Sequence, residues 1–282
     1  MGTTHFLDQA LKLEAAPADA DHYTGTASPA YWNMVGPFGG TTAATVLQAV
    51  MQHPKRLGEP IALTVNYGAA LGPGAFTVTA RAVRTNRSTQ HWRIDLSQAD
   101  AEGAPQLVTT ATAVTAARRD TWGVSDMPMP SAPLPHEVES SKLDFRVEWP
   151  RRYDMRAILG DVPTQWNETE SQADPAEASL TRLWVRDEPP RPIDFPALAA
   201  MADVFYPRAW LRRPKLVPAG TVSFTVYFHA DSALLDATGD GHLLAQARAQ
   251  AFRNGFFDQS AQLWNQAGAL LATSHQIVYY KE

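Results

Sequence analysis

The 282 residues, 45% hydrophobic and 19% charged, are enough for one large or two smaller packed units and exclude a disordered chain. Lys and Arg number 24 against 29 Asp and Glu, a net charge of -5 that disfavours nucleic acid as a partner, so any anionic ligand needs a local basic cluster. Cysteine is absent, which excludes disulfides and thiolate chemistry, and the eight histidines show no H-x3-H or H-E-x-x-H spacing, so neither a metal nor a cofactor is expected.

The first residues, Met-Gly-Thr-Thr-His-Phe-Leu-Asp, lack the basic start and apolar stretch of a secretory signal. No run of about 18 apolar residues spans a bilayer, so the chain is expected in the cytoplasm. Residues 10–15 and 23–28 read as short strands. Residues 39–51 read as a helix that opens on Gly39-Gly40 and stops before Pro54. Four alternating strands follow at 61–67, 76–83, 90–96 and 107–114. Ile61, Leu63, Val65 and Tyr67 share one face of the first, and Trp92, Ile94 and Leu96 share a face of the third. No partner for that second face is evident within one chain, which points to a homo-dimer or higher oligomer.

Met127-Pro-Met-Pro-Ser-Ala-Pro-Leu-Pro135 disfavours regular structure and marks a boundary. The expected organisation is an N-terminal unit over 1–120, a connector over 121–143 and a C-terminal unit over 144–282. The second unit repeats the first: strands at 145–159 and 180–186 around a polar loop at 167–177, a helix after Asp194, then strands at 221–229, 243–253, 257–264 and 270–280.

The second helix is apolar on all sides over Phe195-Pro-Ala-Leu-Ala-Ala-Met-Ala-Asp-Val-Phe205, with Asp194 as N-cap and Pro207 as stop. Such a helix in a sheet-rich unit needs a sheet wrapped around it. The fold class is therefore α+β, a double hot dog in which two curved antiparallel sheets each wrap one central helix. Asp203, the single charge in this run, is buried with it, either as a neutralised structural carboxyl or as a catalytic base in an apolar pocket.

Four places carry a family resemblance: Phe38-Gly39-Gly40 at the first helix, Ala202-Asp203 in the second, Thr221 opening a strand that ends Tyr-Phe-His229, and Leu270-Leu-Ala-Thr-Ser-His-Gln276 in the last strand. In their order and spacing the chain resembles the acyl-CoA thioesterase II family and the wider thioesterase-like double hot-dog superfamily, over about residues 20–115 and 145–281. The resemblance implies hydrolysis of an acyl-CoA thioester by a water that Asp203, Thr221 and Gln276 orient. It departs from the family after Thr221, where Val-Ser-Phe stands in place of an acidic residue and a histidine.

Thioester hydrolysis needs a general base, groups that fix the water, and donors for the oxyanion. Asp203 suits the first role. Thr221 and Gln276 suit the second, since a hydroxyl and an amide hold a water without acting as bases. The N–H groups of Gly39 and Gly40, at a helix N-terminus, are candidates for the third, with Phe38 beside them for substrate contact. Each residue also has a plainer reading. Alternation places Thr221 on a polar strand face with Ser223, Thr225 and Tyr227; Gln276 can be a satisfied core amide; the glycine pair can serve close packing; Trp32, Phe38, Phe205 and Tyr206 can be core. Arg212-Arg213-Pro-Lys215 can meet coenzyme A phosphates or be a solvated charge run.

The first helix carries no carboxylate, and Ala113 takes the place of Gln276 in the first unit, so one active site per chain is expected. A non-catalytic binder of acyl thioesters or fatty acids on the same scaffold is the alternative. A hot-dog enoyl-CoA hydratase would need an Asp-x4-His pair, and that position holds Arg208.

Overall fold

The computed structural model describes residues 4–17, 19–141, 147–167, 169, 171, 173–174 and 177–282. In chain order the elements are α1 (Phe6–Ala10), β1 (Glu14–Ala16), β2 (Asp19–Thr26), α2 (Gly39–Met51), β3 (Glu59–Tyr67), β4 (Ala75–Thr85), β5 (Thr89–Ala99) and β6 (Pro105–Ala116). The second half adds β7 (Tyr153–Leu159), β8 (Thr181–Asp187), α3 (Phe195–Met201), α4 (Arg208–Arg212), β9 (Ala219–Phe228), α5 (Ser232–Thr238), β10 (Leu243–Arg248), β11 (Phe252–Arg253), β12 (Phe256–Trp264) and β13 (Leu270–Tyr280).

Among the described residues, thirteen strands form a single antiparallel sheet, ordered β1-β2-β4-β5-β6-β3-β9-β13-β12-β10-β8-β7, with β11 attached to β12. The order is the same read outward from either side of the β3–β9 seam. Thr64 and Thr225 face each other there, their hydroxyls 3.0 Å apart. The seam is also pinned by Arg118, whose Nη2 donates to the carbonyls of Pro60, Phe228 and Ala230 at 3.0, 3.0 and 2.7 Å. This is the double hot-dog arrangement predicted from the sequence, with the two sheets joined edge to edge.

Both central helices lie on the same side of the sheet and pack on each other. A side chain at Gly40 would put its Cβ 2.5 Å from the Ala200 carbonyl oxygen, so only glycine lets α2 come this close to α3. With seven residues α3 is too short to be stable alone. Burial of Phe195, Leu198, Met201 and their neighbours holds it instead, at about 1.5–3 kcal/mol for each large apolar side chain. In the connector, Met127, Ser131 and Pro133 present carbonyls that accept from Trp264, Arg182 and Trp184 of the second half.

Several local expectations need correction. Residues 243–253 form two strands, interrupted over 249–251, and Asn254 and Gly255, at φ 55° and 76°, then turn the chain between β11 and β12. Asp258 Oδ1 accepts from the N–H groups of Gln250 and Ala251 in the break between β10 and β11. Of the predicted strand at 145–159, residues 145 and 146 lie outside the described set, and Trp149–Arg152 is a 3-10 turn before β7. Ala10 closes α1 rather than opening a strand. Helix α5 lies between the strands expected at 221–229 and 243–253, capped by Asp231 and ended by Gly239. Trp92, Ile94 and Leu96 are fully buried against the chain's own core, so that face gives no reason for a homo-oligomer.

A β-bulge occurs at the same point in each half. On β9, Ser223 pairs with Ile277 and Thr221 with Val278, leaving Val222 extra. On β3, Ala62 pairs with Val114 and Pro60 with Thr115, leaving Ile61 extra. Ile61 therefore leaves the face of Leu63 and Val65, contrary to simple alternation. Phe224 pairs with Gln276 as Leu63 pairs with Ala113, so the two halves superpose Gln276 on Ala113 and Thr221 on Pro60.

Candidate active site

Helix α3 ends at Met201, so Asp203 lies just beyond it and not inside it. The Asp203 and Val204 N–H groups bond to the carbonyls of Ala200 and Met201, a tightening that closes the helix and turns the carboxylate toward the start of α2. Ser274 on β13 anchors this turn, its Oγ donating to the Ala202 carbonyl at 3.1 Å.

Three predicted residues meet here in one chain of hydrogen bonds. Thr221 Oγ1 donates to Gln276 Oε1 at 2.8 Å, and Gln276 Nε2 donates to Asp203 Oδ1 at 3.1 Å. The order fixes the amide, oxygen toward the threonine and nitrogen toward the carboxylate. Thr221 reaches this side of the sheet because of the Val222 bulge, which re-aims it away from the polar face where alternation places it.

Gly40 contributes its backbone N–H to the Asp203 carboxylate. As part of the first turn of α2 this N–H has no intrahelical acceptor, and the helix dipole favours the anion it meets. Gly40 thereby favours the anionic form of the carboxylate. Gly39 lies beside the other carboxylate oxygen: a Cβ there would be 2.9 Å from Asp203 Oδ2, so its absence leaves that oxygen approachable. Phe38 is the N-cap residue of α2 and stacks on Trp149, ring centroids 4.2 Å apart at 9°.

Burial dominates the electrostatics. Asp203 is 8% exposed, and desolvation pushes its pKa up to about 7 in spite of the bonds from Gln276 and Gly40, which favour the anion. Tyr67, at the end of β3, donates its hydroxyl to the Gly39 carbonyl at 2.8 Å and so fixes that peptide. Burial, and then the charge of Asp203, hold the Tyr67 hydroxyl well above its ordinary value, which keeps it a donor. Tyr67 and Ser274 escaped the sequence reading as site residues, although each closes or shares an inward strand face with a residue that was singled out.

Other candidates lie elsewhere. Arg208 is fully buried and its guanidinium binds the Tyr206 and Ser179 carbonyls and the Thr181 hydroxyl, so it cannot take the place of a hydratase histidine. Arg213 pairs with Glu282 at 2.7 Å, and Arg212 donates to the Ser171 carbonyl. Phe205 is buried in the main core with Trp32 partly buried against it, and Tyr206 is buried in a smaller cluster with Trp210 and Phe257.

The site is thus a carboxyl with a pKa near neutrality, held between β13 and the N-terminus of α2 within a double hot dog. The family model for the C-terminal domain of acyl-CoA thioesterases matches residues 125–280, and the model for their N-terminal domain matches residues 28–116. The chain belongs to the acyl-CoA thioesterase family. A hot-dog protein of unknown function from Alicyclobacillus acidocaldarius is 43% identical over 99% of both chains, with a TM-score of 0.89. The acyl-CoA thioesterase II TesB2 from Mycobacterium marinum shares the fold at 18% identity over 98% of each chain, TM-score 0.75. The dehydratase domain of RzxB from Pseudomonas fluorescens also shares it, at 13% identity over 99% of this chain and 100% of that one, TM-score 0.55. No curated protein matches the chain. Among the described residues no helix is long and apolar enough to cross a membrane.

Proposed function

We propose that the protein hydrolyses an acyl-CoA thioester to the free acid and coenzyme A, with Asp203 as general base. The observation that carries this reading is the buried Asp203 carboxylate, tuned to about 7, with one oxygen held by Gln276 and the other beside the missing side chain of Gly39. Water seated against that second oxygen gives up a proton to Asp203 as its own oxygen attacks the thioester carbonyl. The negative charge that develops on the carbonyl oxygen meets the Gly39 N–H at the positive end of α2. Collapse of the intermediate breaks the C–S bond, and the proton held by Asp203 passes to the departing thiolate. Thr221 keeps the Gln276 amide in its orientation, and Gln276 keeps the base oriented and favours its anion.

The direct test is a screen of acyl-CoA thioesters of graded chain length with free thiol as the readout. Release from at least one of them is expected, and none from any would favour a non-catalytic binder. Thr221→Ala removes one hydrogen bond and should lower kcat about ten-fold. Gln276→Ala should cost more, because it also takes a donor from a buried carboxylate. Its acid limb should move to higher pH than wild type, and an unmoved limb would argue against the proposed role of the amide.

A further inference from the structure

A second buried carboxylate lies apart from the Asp203 trio. Asp187, the last residue of β8, is 1% exposed, and neither of its oxygens has a hydrogen-bond partner among the described residues. The hydroxyls of Tyr31 and Tyr153 are buried and unpartnered in the same way. These groups are neighbours. Asp187 is paired with Tyr153 across β7 and β8, the rings of Tyr31 and Tyr153 meet edge to face at 6.2 Å, and the charge of Asp187 acts on both phenols. They are near enough to influence one another, yet none bonds to another. Buried polar groups are nearly always satisfied, so four unpartnered atoms on neighbouring residues call for a partner that the chain itself does not supply.

A run of packed aromatic rings links this cluster to the catalytic end of the molecule. Phe38 adjoins Gly39 in the chain, stacks on Trp149, and lies 6.3 Å from Tyr153 by ring centroids; Trp149 and Tyr153 are 6.1 Å apart. Tyr153 feels the charges of both Asp187 and Asp203. An acyl chain leaving the thioester along this wall would run over apolar rings and then meet an acceptor and two phenolic donors.

We propose that Asp187, Tyr31 and Tyr153 form a polar subsite for a hydroxyl group carried on the acyl chain away from the thioester, so that hydroxylated acyl thioesters are preferred over their methyl-ended counterparts. A hydroxyl donates one hydrogen and accepts two, which matches one carboxylate oxygen and two phenols. A methyl group in the same place would leave all of them unsatisfied, the condition under which a polar site discriminates strongly. The inference rests on the thioesterase reading for the direction of the chain.

The test compares acyl-CoA thioesters of matched length ending in hydroxyl or methyl, over a series of lengths, with wild type, Tyr31→Phe, Tyr153→Phe and Asp187→Asn. Wild type should favour the hydroxyl form by about ten-fold or more in kcat/KM at one length, and each Phe variant, which removes a single oxygen and leaves the ring packing intact, should reduce that ratio about ten-fold. Equal kcat/KM at every length, or a ratio unmoved by all three substitutions, would overturn the subsite and leave the hydrolase reading standing. Calorimetric Kd values for non-hydrolysable thioether analogues of the same pairs separate the two readings. If no thioester is cleaved but the hydroxyl analogue binds more tightly and the Phe variants erase the difference, the hydrolase reading fails and the subsite stands. Equal binding, or no binding of either analogue, overturns the subsite.

Discussion

Asp203→Asn should lower kcat by about two to four orders of magnitude, the range expected when a positioned general base is removed. Asparagine has nearly the same shape and can still accept from the Gln276 amide and the Gly40 N–H, so the turn after α3 and the approach of α2 should persist. What is lost is the capacity to take a proton from water. Substrate affinity should change little, and the defect should appear in kcat with KM close to wild type. Steady-state thiol release gives both parameters. Full activity in Asp203→Asn would make Asp203 a structural carboxyl.

The second large effect concerns stability and comes from Asp187. Burial pushes its pKa up from 3.8 to about 7, against a smaller opposing pull from Arg191. A folded value above the unfolded one means the folded state holds the proton more tightly. The carboxyl therefore burdens the fold little below about pH 4, increasingly as the pH rises, and fully above about 7, by up to about 4 kcal/mol. Asp187→Asn cannot ionise. It should gain about 3 kcal/mol over wild type on going from about pH 5 to about pH 8, read from denaturant midpoints at the two pH values. A gain independent of pH would mean that Asp187 is not buried as an unpaired carboxyl. A group that costs the fold this much at neutral pH is the kind retained for function.

Periodicity made the architecture legible. The helix at 39–51 matches α2, the alternating runs fall within β3 to β6, and the repeated order of elements corresponds to the pseudo-symmetric sheet. Asp203 stood out because one charge in an apolar run has few explanations. Its place after the helix was not legible, since helix formers continue past Met201 and the tightening of the last turn depends on contacts with α2 and β13. Thr221 shows why strand patterns mislead near a site: one extra residue, Val222, reverses the face, and no local signal distinguishes a bulge from a regular strand. The match of Ala113 to Gln276 could be seen from the aligned halves, and the paired register agrees with it. The Asp187, Tyr31 and Tyr153 cluster joins positions far apart in sequence with no shared motif, so only packing reveals it.

The pH dependence of kcat/KM for thiol release by the wild-type protein, on one good acyl-CoA substrate, tests Asp203 as the base most directly. Activity should be lost as pH falls, along a limb of unit slope with its midpoint near the Asp203 value of about 7. A rate that stays level from about pH 8 down to the ordinary carboxylate range would contradict it.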